Sequence, residues 1–178
     1  MNLLNKFKDG GEHKSDPVKE TDNDSSTVYK MINDQIAFEY YSMYVYHHLA
    51  NFLDNIDYIN VAEYFQKKGD EELQHARKFV KYLYDRGEKV TFQQIKKPDV
   101  KLTDIQSVFE SALEHEKEVS KKITEIQSKA EKENDRLTYN FLNWFLVEQI
   151  EEEGVLNDYI SKLKLLPTPY LFNQEFAD

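Results

Sequence analysis

The chain has no cysteine, five glycines and four prolines. It also has no apolar run approaching the ~20 residues that a membrane-spanning helix needs. Each shortage excludes something. Without cysteine there are no disulfides, no thiolate metal sites and no cysteine nucleophile, which is compatible with a cytoplasmic setting. Few helix breakers, with long stretches free of them, favour helices over many short strands. Before the polar stretch that opens the chain, the large apolar residues are Leu3, Leu4 and Phe7. That is no hydrophobic core of a secretory signal. Basic excess is missing too: the formal net charge is −10. Such a charge disfavours non-specific nucleic-acid binding and suits a protein that attracts cations. What remains is 178 residues, 40% hydrophobic and 31% charged. This is enough for one soluble domain with a substantial core.

Residues 1–24 are polar, aperiodic and contain glycine and proline, so they read as a flexible tail. Four long helical stretches follow in residues 25–166. The first runs from about Ser26 to Leu53, with Asp24, Ser25 and Ser26 as candidate N-caps. The second runs from about Ile59 to Arg86 and stops at Gly87. The third starts at Thr103, with Gln106 completing a capping box, and continues to about Lys132. The fourth spans about Arg136 to Leu165 and is halted by Pro167 and Pro169. Short links within the first and second pairs imply antiparallel hairpins. Between the pairs lies GEKVTFQQIKKPDVKL. Extended, it could span ~50 Å, enough to run the ~42 Å length of such a helix. The expected fold is all-α: a four-helix bundle of two antiparallel hairpins joined by a long crossover. In residues 167–178, Tyr170, Leu171, Phe172 and Phe176 are too apolar for a free end. They predict a short terminal helix docked on the bundle or on a neighbouring subunit.

Each helix carries an apolar stripe with the same interruption. The third reads Ile105, Phe109, Ala112, Glu116, Val119, Ile123, Ile126 and Ala130 in steps of three and four. Glu116 is its only polar member. The first reads Val28, Ile32, Gln35, Glu39, Ser42, Tyr46, Leu49 and Leu53; the fourth reads Leu142, Phe145, Gln149, Glu152, Leu156, Tyr159 and Leu163. On the second, Glu72 falls on the stripe of Val61, Phe65, Phe79 and Leu83, with His75 three residues on and sharing its face. Four acids at similar depth in one bundle repel one another strongly. No arginine or lysine lies on the apolar parts of these stripes, so bound metal cations are the expected counter-ions. Carboxylates with imidazole suit iron, manganese or zinc. Glu72 and His75 are accordingly read as ligands. The competing reading is a layer of hydrogen-bonded or protonated side chains that fixes helix register.

The stretches NDQIAFEYYSMYVY, GDEELQHARKFVKYL, LEHEKEV and NFLNWFLVEQIEEE make the chain resemble the bacterial non-haem ferritins, over about residues 26–178. The resemblance implies the ferritin-like fold and a di-iron ferroxidase that oxidises Fe(II) with dioxygen or hydrogen peroxide. It implies storage of the ferric product as mineral in a hollow homo-oligomeric shell of 24 subunits. One iron would be held by Glu39, Glu72 and His75. Glu72 would bridge to a second iron bound by Glu116, with Gln149 as a weaker ligand. Tyr46 would supply an electron or simply pack the core, and Trp144 matches a tryptophan near the family's site. A third iron site would use Glu71, Glu148, Glu151 and Glu152. Bacterioferritins and rubrerythrins carry a second Glu-x-x-His on the fourth helix, where this chain reads Gln149-Ile150-Glu151-Glu152. Bacterioferritin's haem-ligating methionine is Leu73 here, so no haem is expected. The rival function is a small di-iron oxidase or peroxidase that retains its metals. A third reading is a structural bundle whose acids set register or bind zinc.

Overall fold

The structure, a computed structural model, describes residues 27–177. The expected N-terminal tail and the cap candidates Asp24 to Ser26 lie outside them. Helix α1 spans Val28–Asn55, α2 Ile59–Asp85, α3 Ile105–Lys132, α4 Arg136–Leu165 and α5 Pro169–Gln174. Thr27 caps α1 by accepting a bond from the Lys30 amide, so the helix starts two residues later than expected and ends two residues later. A three-residue turn with Asp57 at φ 65° reverses the chain into α2. Gly87, at φ 73°, ends α2. It lets the Glu88 amide reach back to the Leu83 carbonyl in a Schellman-type closure.

The crossover then runs along the bundle without regular structure. The Asn33 side chain pins its start, bonding the Lys89 carbonyl and the Thr91 amide, and Gln93 bonds Asp34. Its end is held by Val100 and Leu102, packed on the apolar cluster that includes Leu49 and Leu53 from the opposite end of α1. The capping box of α3 is Asp104 with Ser107, not Thr103 with Gln106. Aspartate is the stronger cap of the two neighbours and takes the position. Gln106 bonds Glu110 instead.

The C-terminal helix docks on its own bundle. Phe172 is fully buried among Phe109, Tyr159 and Phe176. The first turn of α2 has no side-chain cap of its own. Asn173 supplies one: its Oδ1 accepts the Val61 amide and its carbonyl accepts Asn60.

The core falls into two apolar clusters. One holds Leu49, Leu53, Val61, Phe65, Phe109 and Leu156; the other holds Ile32, Phe79, Leu83, Ile123, Leu142 and Phe145. Between them, at mid-height, all four helices contribute buried polar side chains: Gln35, Glu39 and Ser42; Glu72 and His75; His115 and Glu116; and Gln149. The antiparallel hairpins bring these positions to one level, and that layer contains the site.

Candidate metal centre

Glu39 from α1 and Glu72 and His75 from α2 converge in the polar layer, with one ligand atom of each lying within 4.8 Å of the others. Glu39 is 0% exposed, Glu72 3% and His75 8%. The i, i+3 spacing on α2 sets Glu72 and His75 on one face, with His75 Nδ1 3.4 Å from Glu72 Oε2. Gln35, one turn before Glu39, donates to Glu39 Oε1 at 2.8 Å. The other oxygens, Glu39 Oε2 and Glu72 Oε2, are buried and have no hydrogen-bond partner among the described residues. An orphaned buried carboxylate oxygen costs far more than a satisfied one. Two of them facing an imidazole form a donor set suited to a hard or borderline divalent cation.

Glu116 enters the layer from α3 and is 1% exposed. Its Oε1 accepts the phenol of Tyr46, which is itself 1% exposed, and its Oε2 accepts Gln149 Nε2 at 2.7 Å. Gln149 also reaches the Glu116 carbonyl at 3.2 Å. The glutamine therefore presents its amide nitrogen to Glu116 and leaves its oxygen as the group able to face a cation.

The electrostatics follow from burial. Loss of water raises the pKa of Glu39, and the negative charge of Glu72 raises it further. Burial also raises Glu72, with the charge of Glu116 adding to it. Glu116 is raised by burial, against the opposing hydrogen bonds from Tyr46 and Gln149. Burial and the charge of Glu116 raise the Tyr46 phenol, which stays protonated and donates. In the cation-free protein Glu39 and Glu72 favour protonation, and a divalent ion would release those protons on binding.

The remaining expected residues are arranged differently. Glu152 is half-buried, and its Oε1 is bonded at 2.7 Å by Lys68 Nζ, which also bonds Glu71 Oε2 at 2.7 Å. Glu152 therefore has a cationic partner within the protein, although no lysine or arginine lies on the apolar parts of the stripes. Lys68 reaches it from α2, off the apolar stripe. Burial disfavours the charge on Lys68, but the bonds to Glu152 and Glu71 outweigh that and hold it as an ammonium. Glu148 is half-buried and Glu151 exposed, and neither joins the buried trio. Trp144 stands edge-on to His75 with its ring centre 5.7 Å away, and Lys78 lies over its face.

Sequence reasoning left Gln35, Lys68 and His115 without roles. His115 is buried beside Glu116, stacks on Phe38 and shares a 2.7 Å bond with Ser42 Oγ. Ser42 donates its own proton to the Phe38 carbonyl, so His115 Nε2 is the donor. Burial pushes its pKa down to about 4 and keeps it neutral. The available signals were adjacency for His115 and shared helix faces for Gln35 with Glu39 and Lys68 with Glu71.

A ferritin-like domain matches residues 29–166. The bacterial non-heme ferritin of Staphylococcus haemolyticus is 32% identical over 157 residues, covering 86% of this chain and 95% of that protein. The Staphylococcus saprophyticus protein of the same name is 33% identical over 150 residues, covering 82% and 90%. Among solved structures, an open-pore ferritin from the archaeon Archaeoglobus fulgidus superposes with a TM-score of 0.81 at 32% identity, covering 84% of this chain and 94% of that one. A humanized archaeal ferritin gives 0.81 at 34% identity, covering 84% and 93%.

Proposed function

The chain belongs to the ferritin family, and we propose from this membership and from its buried centre that it is an iron-storing ferroxidase. Fe(II) is its substrate, and the ferric product is stored as mineral in a multi-subunit shell. The observation that carries the reading is the pair of buried, unpartnered oxygens on Glu39 and Glu72 beside His75. Such groups tolerate one another when a cation lies between them.

In finer detail, Glu39, Glu72 and His75 hold one iron. Glu72 is shared with a second iron that takes Glu116, with Gln149 contributing its side-chain oxygen. Carboxylate oxygens favour Fe(III) over Fe(II), which helps drive electrons to dioxygen or hydrogen peroxide. Tyr46, bonded to Glu116, orients that carboxylate and is positioned to supply a further electron. Gln35 holds Glu39 in register with the centre. Apolar residues above and below the layer exclude water, which strengthens every charge interaction within it. The acids Glu71, Glu148, Glu151 and Glu152 form a further cation-attracting surface beside the centre, a candidate third site for ions in transit, with Lys68 already bonded to Glu71 and Glu152. The shell is a homo-oligomer of 24 subunits, without haem, nucleic acid or membrane, and the protein works in the cytoplasm. In support, no described helix is long and apolar enough to cross a membrane, and the chain has no cysteine.

A metal-retaining oxidase is the weaker reading. The fourth helix offers Gln149 where a permanent cofactor site would place a stronger ligand. Aerobic addition of Fe(II) to the assembled protein tests the proposal. Retention of far more soluble iron than the centres can bind is expected. Uptake that stops when the centres are filled would overturn storage.

A further inference from the structure

The Lys68 ammonium lies 2.7 Å from Glu71 Oε2 and 2.7 Å from Glu152 Oε1, linking α2 to α4. Its side chain is only 18% exposed and runs beside the Tyr64 ring. An ion bridging these two carboxylates would occupy the point where the ammonium already sits. A second positive charge brought to that distance is repelled, and displacing the lysine would strand a charged group in a half-buried place. The bond to Glu152 spans helices and is made by a side chain with little exposure, unlike the exposed i, i+4 pairs of the surface such as Lys81–Asp85.

We propose that Lys68 is the built-in occupant of the cation place between Glu71 and Glu152. The subunit then retains ions at its buried centre and passes on, rather than keeps, those that reach the α2–α4 acids. The inference rests on the reading of Glu39, Glu72 and His75 as a metal centre. It assigns Lys68 as a residue that sets how many cations each subunit holds.

The test uses the assembled protein and Zn²⁺, which binds the same donors and is not oxidised. Crystals of wild type, Lys68→Met and Lys68→Arg are soaked at one concentration and the ions placed by anomalous scattering. Equilibrium dialysis measures affinities. In wild type, zinc is expected at the buried centre with Lys68 still on both carboxylates. Lys68→Met should gain an ion between Glu71 and Glu152, bound at least tenfold more tightly than any ion there in wild type. Lys68→Arg, which keeps the charge, should behave as wild type. A purely structural salt bridge would change the melting temperature of Lys68→Met without changing the ion count. Failure of Lys68→Met to gain the ion, or zinc already bridging Glu71 and Glu152 in wild type, would overturn the inference. Zinc missing from Glu39, Glu72 and His75 in all three proteins would instead overturn the metal-centre reading and take this inference with it.

Discussion

The phenol of Tyr46 on α1 donates its hydrogen bond to Glu116 on α3, so a potential electron donor and a candidate iron ligand share one proton-bearing contact. With Gln149 on the other oxygen, both oxygens of Glu116 are fixed before any metal arrives. Preorganisation of this kind lowers what the protein must rearrange during reaction.

Replacing Tyr46 with Phe tests the value of that contact. The ring packing on Phe65 is kept and the hydroxyl is lost. Stability should fall by about 1–3 kcal/mol, because a buried Glu116 oxygen is left without its donor. Zinc affinity at the centre should hold, while the initial rate of Fe(II) oxidation should drop several-fold, roughly 1 kcal/mol of barrier. Stopped-flow absorbance would measure this, and a wild-type rate would leave Tyr46 with a packing role alone.

Glu116→Ala should abolish fast oxidation and also destabilise the protein. Removing the carboxylate leaves the Tyr46 phenol and the Gln149 amide unpaired in the core, at about 1–3 kcal/mol for each stranded group. The apolar stripe of α3 alone suggests that alanine would fit better, but the partners on α1 and α4 reverse that expectation. Glu116→Gln, which can keep both contacts once Gln149 turns its amide over, should lose activity with a smaller drop in melting temperature.

Glu72 ties stability to pH in a definite direction. Burial and the neighbouring charge of Glu116 raise its pKa in the folded state above the ordinary 4.5. Over the window from 4.5 upward, the folded protein therefore holds a proton that the unfolded chain has released. Cation-free protein should lose stability as pH rises through that window. Glu72→Gln should flatten the loss and raise the cation-free melting temperature near neutral pH. Added Zn²⁺ should stabilise wild type at the same pH and have a much smaller effect on the variant. Calorimetry with and without zinc reads both effects.

His115 acts with the opposite sign. Its folded pKa of about 4 lies below the ordinary 6.5, so the unfolded chain takes up the proton first as pH falls. Its contribution is complete above 6.5 and is lost as pH drops from 6.5 toward 4, amounting to a few kcal/mol at the acid end. His115→Gln can still donate to Ser42 and cannot titrate. The difference between wild-type and variant melting temperatures should shift in the variant's favour across that window, and a constant difference would remove His115 from the acid response.

Gly69 on α2 leaves room for the His47 ring of α1. A Cβ there would stand 2.3 Å from His47 Cδ2. Gly69→Ala should therefore destabilise modestly, although alanine by itself favours a helix by about 1 kcal/mol. Combined with His47→Ala, which opens the space, the same change should become stabilising. Denaturant titration of the single and double variants would show the reversal.

Much of this was legible in the chain. Steps of three and four along the presumed third helix pick out Ile105 through Ala130, every one of them buried, with Glu116 at the level of the site. The length of the crossover foretold two hairpins. What the sequence concealed depends on axial alignment between helices. Lys68 meets Glu152 because α2 and α4 are set side by side at that height, and no local spacing encodes this. Asn173 capping α2 is hidden for the same reason, since more than a hundred residues separate the partners. The capping box lies one position on from the Thr103–Gln106 reading because Thr103 and Asp104 are both competent caps and the stronger one, aspartate, takes the place.

The crossover divides the chain so that neither half owns a finished reaction chamber. Glu39, Glu72 and His75 belong to the first hairpin, Glu116 and Gln149 to the second. The first hairpin on its own would lack the acid of α3, the glutamine of α4 and the apolar side chains that α3 and α4 pack around the layer. The full set of candidate ligands therefore comes together only when the two hairpins close on each other.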